Sequence, residues 1–503
     1  MIRVARYGLA LCLIAGCGGE DAVRPPPPPP KPIVAAADAG PTAPADPLGP
    51  RPALGAPSPF TPPVPVAYKR PNGMAVWLLE RHSLPIVSMQ IVVPVGAAQD
   101  PEAKGGLAYI TANMLDEGAG KRGPLELARD LDRLGATLST HAYADYSAVQ
   151  LTVLKKNLSA AAPILGDVVA KPQMAPIEWK RVHDLWQNGL KARQSEPGEV
   201  ANVVIAKRAY PAGHPYSHPT EGTIPSAAKI SLEDVKAFYG ASFRPDRATC
   251  IVVGDLTRAE LDPLLDQALA DWKTPAAQTA AKPADPVKKA EPAGRRVVIV
   301  DRADAPQSVI AVARPGVAAS DEDAPIASRV NTIIGGSFTS RLNQDLREEH
   351  GWSYGAKSRF SFTKMRSLFV AQAAVHTEHT GDALKAMLAD LSTYAKEGPT
   401  DEETEKSRLL ARADLVETFE TVDAAARRLG RSAGIGLLPE HEANASKVMN
   451  RADKATLKKL AASYIDPNEA LIVIVGPRKE IEPQLKKIGI EKLEASGPEG
   501  QTL

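Results

Sequence analysis

From about residue 66 the chain alternates short apolar runs, rich in β-branched residues, with longer amphipathic stretches. Runs at 74–79 and 86–95, separated by polar residues and Pro85, predict two strands. The helical spacing of later apolar positions predicts long helices, and two alternating runs joined by a turn predict a hairpin. The other predicted elements of this half are helices at 105–115, 125–134, 157–170, 176–194, 200–209 and 232–239, a hairpin at 136–154 and a strand at 249–253.

The same plan restarts after a stretch at 274–293 that is rich in Ala, Pro and Lys. Two apolar runs again come first, then helices, a hairpin, more helices and a last apolar run. The predicted elements are strands at 296–300 and 308–313, helices at 324–334 and 338–349, a hairpin at 354–375, helices up to residue 464 and a last strand at 470–475.

A fixed offset relates the ends of the two halves. Pro245 lies nine residues before Gly254, and Pro467 lies nine residues before Gly476, so the two pairs are 222 positions apart. A duplication explains this spacing, and two copies make a pseudo-twofold pair rather than a solenoid. The predicted fold is therefore α+β, with two homologous lobes that each contain a mostly antiparallel sheet packed with helices.

The amino terminus reads as a targeting segment. Arg3 and Arg6 precede an apolar run at 7–16, which is shorter than the roughly 20 residues that a membrane span needs. This pattern predicts a secretory signal peptide. The predicted parts of the whole chain are the signal peptide at 1–17, a Pro/Ala-rich linker at 18–66, the N-terminal lobe at 67–273, a second linker at 274–293, the C-terminal lobe at 294–490 and a flexible tail at 491–503.

The apolar run ends in Ile14-Ala15-Gly16-Cys17, which resembles the lipobox of bacterial lipoproteins. The resemblance implies cleavage before Cys17 and acyl chains on its thiol, each buried methylene contributing about 0.8 kcal/mol to anchoring. Gly18, by resemblance to lipoprotein sorting, favours the outer membrane, facing the periplasm. The alternative is a plain signal peptide that ends near a cysteine.

Composition narrows the function classes. Lys and Arg total 60 against 59 Asp and Glu, which gives no support for nucleic-acid binding. Cleavage before Cys17 and acylation of its thiol would leave Cys250 as the only free thiol, so no internal disulfide is expected. Because Cys250 lies in an apolar run, we interpret it as a buried thiol rather than a nucleophile. No P-loop, nucleophile elbow or dinucleotide-binding fingerprint occurs.

The segment 105–114 reads Gly-Gly-Leu-Ala-Tyr-Ile-Thr-Ala-Asn-Met. It resembles the zinc helix of the insulinase / pitrilysin / mitochondrial-processing-peptidase family, inverted zincins in which two histidines and a later glutamate bind zinc and an intervening glutamate is the base. The matching positions are Tyr109 and Asn113 for the histidines, Ala112 for the base and Gly189 for the third ligand. Zinc needs His, Cys or carboxylate ligands. The resemblance therefore implies a degenerate zinc site, no metal bound by this chain and no catalytic residues of its own.

A second segment retains the family's pattern. Arg347 and Tyr354 lie seven positions apart, after a Gly-Gly-Ser-Phe sequence at 335–338. In active relatives the equivalent arginine binds substrate backbone and the tyrosine stabilises the developing oxyanion. The alternative is that Arg347 pairs with Glu348 or Glu349 on a solvated face and that Tyr354 merely fills a strand.

The resemblance implies a division of labour, because the family includes two-chain enzymes. One hypothesis is a non-catalytic Arg/Tyr subunit that acts in trans, with a zinc-motif homologue as the partner that binds zinc and with peptides or unfolded polypeptides as substrates. The rival is an inactive scaffold or peptide-binding lipoprotein of the cell envelope, which could pair with itself. Whether the chain is an enzyme is left open, and activity of this chain alone is not expected.

Overall fold

A computed structural model describes residue 55 and residues 60–274 and 294–503 of the chain. The predicted signal peptide with Cys17, most of the linker at 18–66 and nearly all of the linker at 274–293 lie outside the described residues. The folded region belongs to one unit, Pro57–Leu503. No helix in the described ranges is both long and apolar enough to cross a membrane.

The N-terminal sheet has six strands in the order β1-β2-β6-β3-β5-β4. β2 and β6 pair in parallel, and the other neighbours are antiparallel. The central strands are buried on both faces, as their nearly continuous apolar sequences require. The strands are β1 (Val66–Lys69), β2 (Ala75–Glu80), β3 (Ile86–Val93), β4 (Thr137–Ala142), β5 (Ser147–Leu154) and β6 (Thr249–Gly254).

The helices of this half begin at recognisable signals. Proline opens three of them, where its missing N–H costs nothing. The side chains of Ser231 and Thr257 cap two others by accepting hydrogen bonds from backbone N–H groups. The helices are α1 (Leu107–Asn113), α2 (Pro124–Leu134), α3 (Leu158–Ala170), α4 (Pro176–Arg193), α5 (Pro197–Ala209), α6 (Ile224–Ala227), α7 (Leu232–Ser242) and α8 (Arg258–Ala268).

The C-terminal sheet repeats this arrangement in the order β12-β7-β11-β8-β10-β9. β7 and β11 are parallel, as β2 and β6 are, and β9 occupies the edge that β4 occupies in the first sheet. The structure therefore confirms an α+β fold of two matching lobes. The strands are β7 (Arg296–Asp301), β8 (Gln307–Pro315), β9 (Ser353–Phe360), β10 (Leu368–His376), β11 (Leu471–Gly476) and β12 (Glu494–Ala495).

Helices cover this second sheet as well. Two π-helical turns, Thr332–Gly336 and Gln344–Glu349, continue the first two helices. The sequence predicts one helix at 338–349, whereas the structure has a three-residue α-helix followed by the second π turn. The helices are α9 (Ala324–Asn331), α10 (Arg341–Asn343), α11 (Thr380–Glu397), α12 (Asp401–Glu420), α13 (Val422–Gly434), α14 (His441–Arg451), α15 (Lys454–Tyr464) and α16 (Arg478–Lys487).

Each lobe covers one face of its sheet with its own helices and the other face with a helix of the other lobe. Val200, Val204 and Ile205 of α5 pack against the C-terminal sheet. In return, α13 packs against the N-terminal sheet, so closely that a Cβ at Gly430 would lie 1.6 Å from Oε1 of Gln90. Full burial of such aliphatic side chains contributes about 1.5–3 kcal/mol each. This exchange of α5 and α13 between the lobes therefore stabilises the contact between them.

Several elements were not predicted from the sequence. β1, α8 and α16 are present, and β12 follows the strand that was predicted to be the last. Residues 60–66, assigned to the linker, are partly packed, since the Phe60 ring lies 6.4 Å from the Phe419 ring. Apolar periodicity misses these segments because they are short or are held by a few specific contacts.

The segment 491–503, predicted as a flexible tail, packs along the C-terminal lobe instead. Glu494 accepts hydrogen bonds from Arg296 at 2.8 Å and from Arg208 at 2.6 Å. Ser496 N donates to Ile299 O at 3.0 Å, and Ser496 is 1% exposed. Ion pairs and backbone hydrogen bonds hold the segment, together with a single apolar contact, Leu493 against the core, so its mostly polar sequence did not predict a packed element.

Candidate functional site

Helix α1 carries three of the degenerate zinc positions, and its start is held by a buried carboxylate. Asp100 accepts hydrogen bonds from the backbone N–H groups of Gly106 at 2.7 Å and Ala108 at 2.8 Å. Burial raises the pKa of Asp100 to about 7, although these hydrogen bonds oppose the shift. Gly106 has φ of 98°, and a Cβ there would lie 2.7 Å from the Trp186 ring. The hydrogen bonds of Asp100 fix the start of α1, and the close approach at Gly106 packs it against Trp186 of α4.

The structure brings three of the four mapped positions into one cleft. Tyr109 and Asn113 line it from α1 and Gly189 from α4, and the cleft has a volume of about 670 Å³. Ala112 is buried on α1 at 2% exposure. The positions that the sequence comparison assigned to zinc ligands on two separate helices therefore face each other across the cleft.

The side chains at these positions are not a zinc ligand set. Asn113 Nδ2 donates to the carbonyl oxygen of Tyr109 at 3.0 Å, so its amide is engaged within α1. The Tyr109 ring lies 6.2 Å from the Trp186 ring, and burial with the nearby Glu221 charge raises the pKa of its hydroxyl. Gly189 offers no ligand. The set lacks imidazole, thiolate and carboxylate and does not fit zinc.

Acidic residues that sequence reasoning missed also lie in this cleft. Burial, helped by the Glu117 charge, raises the pKa of Asp116 to about 6. Glu117 pairs with Arg181, and Glu221 lies 3.4 Å from Arg193. Across the part of the chain that the structure describes, no three His, Cys, Asp or Glu side chains are grouped so as to hold a metal ion.

An open strand edge borders the same cleft. β4 is the edge strand of the N-terminal sheet and pairs with β5. Leu138, Ser139 and Thr140 of β4 line the cleft beside Tyr109. An edge strand presents unpaired N–H and C=O groups that can bind an extended peptide by strand addition. The cleft therefore combines room for side chains with backbone hydrogen-bonding groups.

Arg347 lies on the second π turn of the C-terminal lobe. Its guanidinium carbon sits 4.3 Å from the centroid of the Phe338 ring, and its Nε lies 3.5 Å from a carboxylate oxygen of Glu348. The ion pair suggested by the solvated-face alternative is therefore present. It is long and partly exposed, and such pairs contribute at most about 1 kcal/mol.

Tyr354 lies near the start of β9, the edge strand of the C-terminal sheet. Its side chain is 83% exposed, and its ring lies 6.4 Å from that of His376. Asn343 connects the helical segment to this strand by donating to Ala356 O and accepting from Ala356 N, both at 2.8 Å. Sequence reasoning did not single out Asn343, whose two hydrogen bonds hold the segment carrying Arg347 beside the strand carrying Tyr354.

The arginine and tyrosine belong to the C-terminal lobe, whereas the cleft is lined by N-terminal residues alone. The fold and these two surfaces define a class: a two-lobed, peptidase-like protein in which Tyr109, Asn113 and Gly189 stand at the positions mapped to zinc ligands. A family model described as "Insulinase (Peptidase family M16)" matches residues 76–223, and one described as "Peptidase M16 inactive domain" matches residues 229–409. The chain belongs to the insulinase family, peptidase family M16.

Curated relatives carry different descriptions. An uncharacterized zinc protease of Streptomyces coelicolor is 24% identical over 370 residues, covering 72% of this chain and 79% of that protein. The non-peptidase homolog YmxG of Helicobacter pylori is 22% identical over 293 residues, covering 57% and 65%. Subunit 1 of the human mitochondrial cytochrome b-c1 complex is 22% identical over 190 residues, covering 38% and 39%. The chain is thus similar to proteins named as proteases, as a non-peptidase and as a subunit of a complex.

A solved structure shows the same fold. The crystal structure of a peptidase M16 inactive domain from Pseudomonas fluorescens superposes with a TM-score of 0.74 at 24% identity. The match covers 82% of this chain and 98% of that chain. The two-lobed architecture is therefore common to both chains.

Proposed function

We propose that this protein is the substrate-binding subunit of a two-chain zinc endopeptidase that acts on peptides. A homologue with an intact zinc motif supplies the metal and the general base. This chain supplies Arg347 and Tyr354 from its C-terminal lobe. In this proposal neither chain has a complete active site without the other.

The observation that carries the proposal is the exposure of Tyr354 in a chain whose zinc positions are degenerate. An aromatic side chain that is 83% exposed buries little apolar area and so stabilises its own lobe only weakly. Strand filling therefore does not explain Tyr354. The partly exposed Arg347–Glu348 pair, with Nε 3.5 Å from the carboxylate, likewise adds little to stability. Both side chains remain available to a second molecule.

The chemistry of the pair fits the stabilisation of a reacting amide. In the proposed complex the Tyr354 hydroxyl donates a hydrogen bond to the scissile carbonyl oxygen as negative charge develops there. The Arg347 guanidinium donates to substrate carbonyl oxygens with its planar fork. The Phe338 ring beneath the guanidinium limits the orientations of Arg347 before substrate arrives.

The N-terminal cleft supports a peptide as the substrate class. An extended segment could add to the free edge of β4 through backbone hydrogen bonds, which impose little sequence preference. Its side chains would then enter the cleft of about 670 Å³ that the edge borders. The lipid anchor on Cys17 and the outer-membrane location remain predictions, and would place this activity in the periplasm.

A second candidate is an inactive scaffold or peptide-binding lipoprotein. The similarity to a cytochrome b-c1 complex subunit favours it, because that relative is named as a part of a larger assembly. Such a protein would keep the fold and the cleft but would have no use for Arg347 or Tyr354 in catalysis.

Sedimentation velocity distinguishes the two candidates. The mature chain would be measured alone and mixed with its zinc-motif homologue from the same organism, with Arg347→Ala and the surface control Arg366→Ala as variants. The proposal predicts a one-to-one complex in the mixture that both variants still form, since neither residue is assigned to association. A chain that pairs only with itself would favour the scaffold.

A further inference from the structure

A second cavity lies in the C-terminal lobe, and we call it the C-lobe pocket. It has a volume of about 420 Å³ and is lined by α9, the end of β9, α12, α13 and α14. Because β9, α9 and α12 follow the same order in this lobe as β4, α1 and α4 in the first, the pocket occupies the position that corresponds to the degenerate zinc cleft. None of the zinc positions, nor Arg347 or Tyr354, contributes to it.

The walls of the pocket are largely apolar. Phe360 and Phe362 form one side, Leu415 of α12 a second, and Met449 of α14 a third. A cavity of this size and lining suits a small apolar body rather than a folded surface. Polar side chains line it from α9, β9 and α12 as well, but three of its five charged residues, Arg428, Arg431 and Glu442, lie on α13 and α14.

Two of those groups form an ion pair, although Arg428 Nε and Glu442 Oε2 make no hydrogen bond within the described residues. Arg428 Nε lies 2.9 Å from Glu442 Oε2, and Ser432 donates to the other carboxylate oxygen of Glu442 at 2.7 Å. Burial lowers the pKa of the adjacent His441, which favours its neutral form. The charges of Arg428 and Glu442 therefore cancel within the wall.

Arg431 is different, because no carboxylate in the described ranges forms an ion pair with it, although the more distant charges of Glu442 and Asp145 act on it. Its one hydrogen bond among the described residues runs from Nη2 to the carbonyl oxygen of Phe362 at 2.8 Å. Burial and the neighbouring Arg428 lower its pKa, as expected of a cation held without full compensation. The exposed Asp414 and Arg359 also line the pocket, and Arg359 Nη2 donates to Asn202 Oδ1 at 3.0 Å.

We infer that the C-lobe pocket binds a carboxylate carried on an apolar body, with Arg431 as its charged partner. A guanidinium presents a planar fork that matches a carboxylate and remains charged when partly buried. The apolar walls hold the body of the ligand. Two sources present this chemistry, the C-terminal residue of a peptide and a free amphipathic acid. The inference does not depend on the proposed peptidase role.

Titration calorimetry on the full mature chain tests the inference. The probes are acetyl-Ala-Leu-Phe with a free carboxylate, the same tripeptide as its C-terminal amide, and decanoate. At least one of the two carboxylates should bind. Arg431→Gln should raise its dissociation constant roughly tenfold or more, as the loss of a charge-assisted hydrogen bond does. If the tripeptide acid binds more tightly than its amide, the natural ligand is the C-terminus of a peptide. If decanoate binds and the tripeptide acid does not, the ligand is a free amphipathic acid.

Arg427→Gln is the matched control, since Arg427 lies on the same helix, is exposed and pairs with Asp423. It should leave binding unchanged. If Arg431→Gln fails to fold by circular dichroism, Arg431→Lys keeps the charge but loses the fork and should still weaken binding. The inference is overturned if neither carboxylate binds, or if folded Arg431 variants bind as wild type does.

Discussion

Restoring the zinc ligands gives a sharp test of the mapped cleft. The perturbation is the triple variant Tyr109→His, Asn113→His and Gly189→Glu. Spacing of four residues on α1 puts both imidazoles on one helix face, and the wild-type residues at all three positions line one cleft. A Cβ at Gly189 meets no atom within 4 Å, so a glutamate enters without displacing its surroundings.

The expected change in stability follows from the contacts at the substituted positions. Loss of the Tyr109–Trp186 ring contact lowers the free energy of unfolding by about 0.5–1.5 kcal/mol. Replacement of a glycine within a helix raises it by about 0.8–1 kcal/mol. The variant should therefore fold with nearly wild-type stability. Free zinc at a hundredfold over its dissociation constant would then stabilise the folded state by about 2.7 kcal/mol. With an unfolding entropy of about 2.1 cal/mol/K per residue, this corresponds to a rise in melting temperature of about 3 °C.

The assay is zinc content by atomic emission after gel filtration, together with thermal melts with and without zinc. We expect one zinc per chain in the triple variant. The matched control moves the glutamate to Gly240, another helical glycine with open space around its Cβ, and should bind zinc far more weakly. Equal zinc binding by the two variants, or none by the triple variant, would refute the mapping of Gly189.

Three further predictions concern the supporting structure. Gly166→Ala should lower the free energy of unfolding by about 1–3 kcal/mol, because its Cβ would lie 1.8 Å from the carbonyl oxygen of Ala268; chemical denaturation measures this, with Gly240→Ala as a neutral or stabilising control. Asp100→Asn should flatten the pH dependence of the melting temperature between about pH 4 and pH 7. Because the pKa of Asp100 is raised to about 7, its contribution to wild-type stability is fully present at low pH and is lost as pH rises through that value; a steeper profile in the variant would contradict this reasoning. Asn343→Leu should cost about 2–4 kcal/mol in urea unfolding, since it leaves the N–H and C=O of Ala356 unpaired, and an unchanged midpoint would refute the connecting role of Asn343.

The repeated order of elements could be predicted from the sequence because the central strands are nearly continuous apolar runs. The offset between Gly254 and Gly476 also reflects real equivalence, since each ends the strand that pairs in parallel with the first predicted strand of its lobe. The prediction that Cys250 is a buried thiol is confirmed, and burial raises its pKa to about 12. Strands and buried residues that a strong apolar pattern predicts are therefore found in the structure where the sequence places them.

What the sequence could not predict depends on long-range contacts. The exchange of α5 and α13 between lobes is invisible to periodicity, which shows that a helix has an apolar face but not which sheet receives it. The packed tail rests on ion pairs of Glu494 with residues far along the chain. Asn343 and Arg431 are single polar residues whose significance follows only from their neighbours in space.

The central claim is that Arg347 and Tyr354 act on a peptide that is cleaved at the zinc site of a second chain. The most direct measurement is kcat/KM for a quenched peptide with the equimolar mixture of this chain and its zinc-motif homologue, comparing wild type, Tyr354→Phe and the surface control Arg366→Ala. The account predicts activity that requires both chains and falls roughly a hundredfold or more in Tyr354→Phe, with the control unaffected. Full activity of the partner alone, or an unchanged rate with Tyr354→Phe, would contradict it.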